Sequence, residues 1–157
     1  MKKFVKKKQI DGAKESVLSC CMASTKTVPR LNYTLLCDDV RQELGGKFSL
    51  MGLFESIHAN VFPAIHPRFA IVNELTGGKG EFTVTIKLLS PNKGEVLSES
   101  ETTINLFSET QRHRDISVRF NTTFSAPGTY WLETLVDGER IGLTPLPLQL
   151  VSDKNVH

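Results

Sequence analysis

From Leu31 onward, polar and apolar residues alternate with a period of two through most of this chain. The clearest series is Phe82, Val84, Ile86 and Leu88, interleaved with Glu81, Thr83, Thr85 and Lys87. That spacing predicts a strand with one face in a core and the other in water. A second series sets Ile116, Val118, Phe120, Thr122 and Phe124 against Asp115, Ser117, Arg119, Asn121 and Thr123, with the first set expected inward. Tyr33, Leu35 and Cys37 alternate with Thr34, Leu36 and Asp38, and Phe69 and Ile71 begin another strand after His66-Pro67. In the run Phe48–Phe54 both alternating sets are apolar, which predicts a central strand covered on both faces. No window of about 11 to 18 residues sustains helical spacing.

Turn chemistry separates these runs. Gly45-Gly46-Lys47, Thr76-Gly77-Gly78-Lys79-Gly80 and Ser90-Pro91-Asn92-Lys93-Gly94 each divide two strands. The stretch from Pro127 to Leu143 reads as a hairpin: Pro-Gly opens it, Tyr130–Val136 forms an inner strand, and Asp137-Gly138 reverses the chain. A type I′ reversal needs φ > 0 at both central residues, and Asp-Gly supplies it cheaply. The returning strand carries Pro145 and Pro147 at alternating positions, which suits an edge. Regularly spaced strands with intervening turns predict an all-β fold, an antiparallel two-sheet β-sandwich of Ig-like or Greek-key type with seven to nine strands.

Composition sharpens this picture. The chain has 157 residues and a net charge of +2, enough for one domain with its own core. Residues 1–30 hold eight basic side chains against two acidic ones, a net +6 that leaves −4 for the rest. The expected organisation is a basic, disordered arm over 1–30, a sandwich over 31–151 and a tail over 152–157. Residues 1–21 read as a dispensable extension or a misassigned start, because Met22 opens a second plausible beginning. Such an arm would touch nucleic acid or other anionic surfaces only non-specifically. Polar residues interrupt the stretch after Met1-Lys2-Lys3, so no secretory signal is expected there. Three cysteines, Cys20, Cys21 and Cys37, give no even disulfide framework and point to a reducing, cytoplasmic setting. No run approaches the roughly 20 apolar residues of a membrane-spanning helix.

The segments Leu36-Cys37-Asp38-Asp39-Val40-Arg41, Gly45-Gly46-Lys47, Gly52-Leu53-Phe54 and Phe62-Pro63-Ala64 resemble an uncharacterised bacterial all-β domain family. The resemblance covers roughly residues 31–151 and implies a compact all-β fold. It implies no activity.

Candidate chemistry is sparse. Asp38, Asp39 and Glu43 beside Gly45-Gly46 are the densest acidic cluster and the one place where Ca²⁺ or Mg²⁺ could find several oxygens, although the spacing matches no EF-hand loop. The alternative for Asp38 and Asp39 is a pair that leaves its strand and starts a turn. His58, His66, His113 and Cys37 lack the close pairs that declare a zinc site. Arg112, His113, Arg114 and Arg119 form a basic cluster expected at a solvated strand end, paired with Glu109 or Asp115, with an anion site as the sharper reading. No G-x-S-x-G elbow, Walker loop or H-E-x-x-H motif occurs.

The expected function is therefore a non-catalytic binding or structural module, part of a larger assembly, with a protein partner and no cofactor. Its contacts are expected on the irregular stretches Asp38–Lys47 and His58–Pro67, through Arg41, His58 and His66, with Arg112 and Arg114 as further candidates. The alternative is a metal-dependent binder or enzyme using Asp38, Asp39 and Glu43.

Overall fold

Nine strands and no helix make up residues 25–152, the part of the chain that the computed structural model describes. They are β1 (Arg30–Gln42), β2 (Phe48–Phe54), β3 (Ile57–Ala59), β4 (Ala64–Thr76), β5 (Gly80–Leu89), β6 (Val96–Leu106), β7 (His113–Phe124), β8 (Gly128–Val136) and β9 (Glu139–Leu150). Two sheets face each other, one ordered β2-β1-β4-β7 and the other β3-β9-β8-β5-β6. All neighbours are antiparallel except β3 and β9, which pair in parallel. The expected two-sheet sandwich is thus what forms.

The reversal between β8 and β9 has the backbone its residues predict, with φ 49° at Asp137 and 82° at Gly138. Asp137 also accepts the Thr83 N–H on β5 and an ion pair from Lys26, so the turn is held from two sides. Alternation on β5 behaves as read: Phe82, Val84, Ile86 and Leu88 are all buried. They meet Phe69, Ile71 and Leu75 of β4 and Tyr130, Leu132 and Val136 of β8 in the space between the sheets. Tyr130 anchors the entry to β8 by donating its hydroxyl to the Ala126 carbonyl at 3.0 Å, and its ring meets Phe124 edge-on.

Four expectations change. Phe48–Phe54 is an edge strand, with Phe48 39%, Met51 36% and Leu53 59% exposed; its apolar residues on both faces reflect an open flank rather than a cover. The proline strand β9 is open only over its first part, because β3 closes it at Leu148–Leu150, beyond the prolines. Asp38 and Asp39 do not start a turn, since β1 runs on to Gln42 against β2; His58 lies in β3 and His66 in β4, so the irregular segments shrink to 43–47 and 60–63. Residues 25–30 belong to the body rather than to an arm: Thr27 exchanges backbone hydrogen bonds with Lys79, and Thr27 Oγ1 reaches Glu109. The rest of the predicted arm and most of the tail lie outside the described residues.

A fifth change concerns phase. In the first half of β7 it is Asp115, Ser117 and Arg119 that point between the sheets, while Phe120 is 65% exposed. In the second half Thr122 and Phe124 point inward as expected. The switch falls at Asn121, whose φ of 48° lies in the left-handed region that Asn tolerates better than most residues. The inverted half forms a polar seam with β6. Arg119 donates to the Ile86 carbonyl and to Ser100 Oγ, both at 3.0 Å, and Ser117 meets Ser100 at 2.8 Å. Burial pushes the Asp115 carboxyl above its usual range, partly offset by His113, Thr102 and Arg119.

Candidate functional site

On β4, Phe69 and Ile71 enter the inter-sheet core, so the alternate residues Ala70 and Val72 face away from it. An outward sheet face in a sandwich is ordinarily polar. Here it is not. Leu35 stands opposite Val72, and Val72 opposite Ile116; beside that row, Cys37 stands opposite Ala70, and Ala70 opposite Val118. Cys37, Ala70 and Val72 are completely buried, and Leu35, Val40, Leu50, Ile116 and Val118 pack against them while remaining half exposed. The result is a second apolar cluster on the outside of the four-stranded sheet, covered among the described residues only by its own rim. Burial pushes the Cys37 thiol up, and Asp38 and Asp39 push it further, so it is held as an inert thiol.

Each end of this face carries an arginine-rich ion cluster. At one end Glu74, 1% exposed, accepts Arg112 through Nε and Nη2 at 2.9 and 2.6 Å and Arg114 at 3.1 Å. Tyr33 and Asn32 complete its shell at 2.9 and 3.1 Å. Arg112 in particular holds the carboxyl down at about 2. At the other end Arg68 bonds Asp39 and lies over the exposed Phe120 ring, 5.9 Å from its centre. Arg41 adds a longer contact to the same carboxylate, 3.3 Å. Each cluster has two arginines for one carboxylate. The side chains of Arg41, Arg68, Arg112 and Arg114 remain 67%, 40%, 62% and 43% exposed.

The candidates from sequence therefore divide into groups. Arg112 and Arg114 come together, but on Glu74 rather than on Glu109 or Asp115. Arg41 joins Asp39 at the opposite end. His58 and His66 lie elsewhere, in a small depression of about 270 Å³ that Asp38, Gly52 and Ser56 also line. It adjoins a larger cleft of about 890 Å³ between the sheets, lined by Thr34, Phe54, Glu55, His58, Pro145 and Pro147 among others. His58 Nε2 is 3.2 Å from Ser56 Oγ, and the His66 ring stacks on Phe54 and meets Phe69 edge-on.

The acidic trio is not brought together. Asp39 is occupied by Arg68 and Arg41, Glu43 accepts Ser49 at 2.8 Å, and Asp38 packs over Gly52, where any Cβ would collide with its carboxylate. Among the described residues no three His, Cys, Asp or Glu side chains are placed to hold a metal ion. No helix among them is long and apolar enough to cross a membrane. Cys20 and Cys21 fall outside the described residues.

Sequence reasoning missed Glu74, Arg68, Tyr33 and Phe120. A signal was present in Phe69-Ala70-Ile71-Val72, four apolar residues in a row, the mark of a strand buried on both faces. A family of unknown function, DUF6941, matches residues 32–149. The chain belongs to this family. The DUF6941 match spans all nine strands apart from the first two residues of β1 and the last of β9, so the outer face and both ion clusters lie within it. No curated protein matches the chain.

Proposed function

We propose that this chain is a non-catalytic protein-binding module whose contact surface is the outer face of the β2-β1-β4-β7 sheet. The observation that carries this reading is the apolar cluster of Cys37, Ala70 and Val72 on a face where water would favour polar side chains. Its surroundings suit a protein interface. Leu35, Ile116 and Val118 supply an apolar centre, and Tyr33, Phe120 and four arginines supply the residue types enriched at such surfaces. The surplus arginine at each end selects a partner with an apolar stripe flanked by acidic groups.

Surface substitutions test this reading. Ile116→Glu and Leu35→Glu keep the half-exposed position but place a charge in the centre of the patch. Both are expected to abolish partner capture while preserving the circular dichroism spectrum and a cooperative melt. Raised salt should slow association, since steering by exposed arginines is screened over about 8 Å at physiological ionic strength.

A further inference from the structure

An open strand edge is a template for another chain, and folded proteins blunt such edges. Among the described residues, most free flanks of this sandwich are blunted. β6 carries Glu99 and Glu101, β7 turns Asp115 and Arg119 inward, β3 is three residues long, and the free flank of β9 carries Pro145 and Pro147. β2 is different. Its seven residues, Phe-Ser-Leu-Met-Gly-Leu-Phe, contain neither a charge nor a proline, and Phe48, Met51 and Leu53 are exposed along it.

Charge returns on both sides of that strand. Lys47 immediately precedes it and Glu55 immediately follows it, both exposed. They lie four residues either side of Met51. If β2 pairs antiparallel with β2 of a second copy about a two-fold axis at Met51, Lys47 of each copy stands opposite Glu55 of the other. Phe48 then faces Phe54 and Ser49 faces Leu53. Gly52, at φ 68°, is the one irregularity on this edge, and it faces Leu50 of the second copy without a side chain of its own. The strand is thus self-complementary in the one orientation that a two-fold interface uses.

We infer that β2 is a homodimerisation edge, joining the four-stranded sheets of two copies into one continuous sheet with cross-strand Lys47–Glu55 pairs at both ends. The dimer goes beyond the binding-face reading and rests on the β2 edge and its flanking charges, Lys47 and Glu55, rather than on the sheet face. Its consequence is that two outer apolar faces become one surface.

Sedimentation equilibrium of the full chain, from micromolar to near-millimolar concentration, tests the inference. The unmodified chain is expected to shift reversibly from monomer to dimer. Lys47→Glu alone and Glu55→Lys alone each replace two attractive pairs by two repulsive ones and should weaken the dimer about tenfold. The double variant with both changes should recover most of that affinity, which a merely damaged edge would not do. A chain that stays monomeric throughout overturns the inference. So does a dimer indifferent to the single reversals, as face-to-face packing would be, or a double variant as weak as the singles.

Discussion

Glu74 on β4 and Arg112 just before β7 form a two-nitrogen ion pair, 2.9 and 2.6 Å, although the glutamate is almost wholly buried and the arginine is largely exposed. The same carboxylate accepts Tyr33 and Asn32 of β1, so one side chain ties three strands of the sheet. Its position on the outer face makes it both a structural tie and one end of the proposed contact surface.

A pH dependence follows. The Glu74 carboxyl is held down at about 2 in the fold against an ordinary value of 4.5. A lowered carboxyl stabilises the fold above its ordinary value and loses that contribution as pH falls toward the folded value. Melting temperature should therefore decline between pH 4.5 and about 2. Glu74→Gln should melt several degrees lower at neutral pH and show a shallower decline in acid, measured by circular dichroism. Asp39 and Asp137, also held low, chiefly by Arg68 and Lys26, leave a residual slope in that variant.

Asn121 sets the phase of β7. Asn121→Gly should be nearly neutral, because glycine adopts the left-handed backbone freely. Asn121→Val should cost about 1–2 kcal/mol in a denaturant titration, since a β-branched residue is strained there. Equal stability of the two variants would show that the switch does not depend on this residue.

The buried seam makes a sharper demand. Arg119→Ala leaves Ser100 Oγ and the Ile86 carbonyl without their buried donor, and losing such a partner costs about 1–3 kcal/mol. Denaturant unfolding should show that loss in the midpoint.

The contribution of residues 25–30 to the body is also measurable. A chain starting at Thr25 keeps the Thr27–Lys79 backbone bonds and the Lys26–Asp137 ion pair, whereas a chain starting at Leu31 loses both. The shorter chain should melt lower by a few degrees.

Much of the architecture was legible in the residues because local rules governed it. Asp137-Gly138 is a hairpin in any context, and Phe82–Leu88 needs one buried face whatever packs on it. Phase and neighbourhood were harder. Ile116, Val118 and Phe120 look like a core series, yet the left-handed step at Asn121 sends them outward and turns Asp115, Ser117 and Arg119 in. The β2 run looked central because apolar residues on both faces mean either two covers or an open edge, and alternation alone does not distinguish them. Glu74 was hidden for a related reason: its partners lie 38 to 42 positions away, at Arg112 and Asn32, and only the register of three strands brings them together. The outer face needed the same information, since Val72 joins an apolar cluster on the outside of the sheet only once Leu35 and Ile116 are known to flank it.

We propose the outer face of the four-stranded sheet as the place where a partner protein binds. Its most direct test is quantitative affinity capture with four versions of the full chain: unmodified, Leu35→Glu, Ile116→Glu, and Pro145→Ala in the separate cleft. One set of captured proteins is expected, lost with both face variants and retained with Pro145→Ala. Capture unchanged by Ile116→Glu, or lost only with Pro145→Ala, would contradict it.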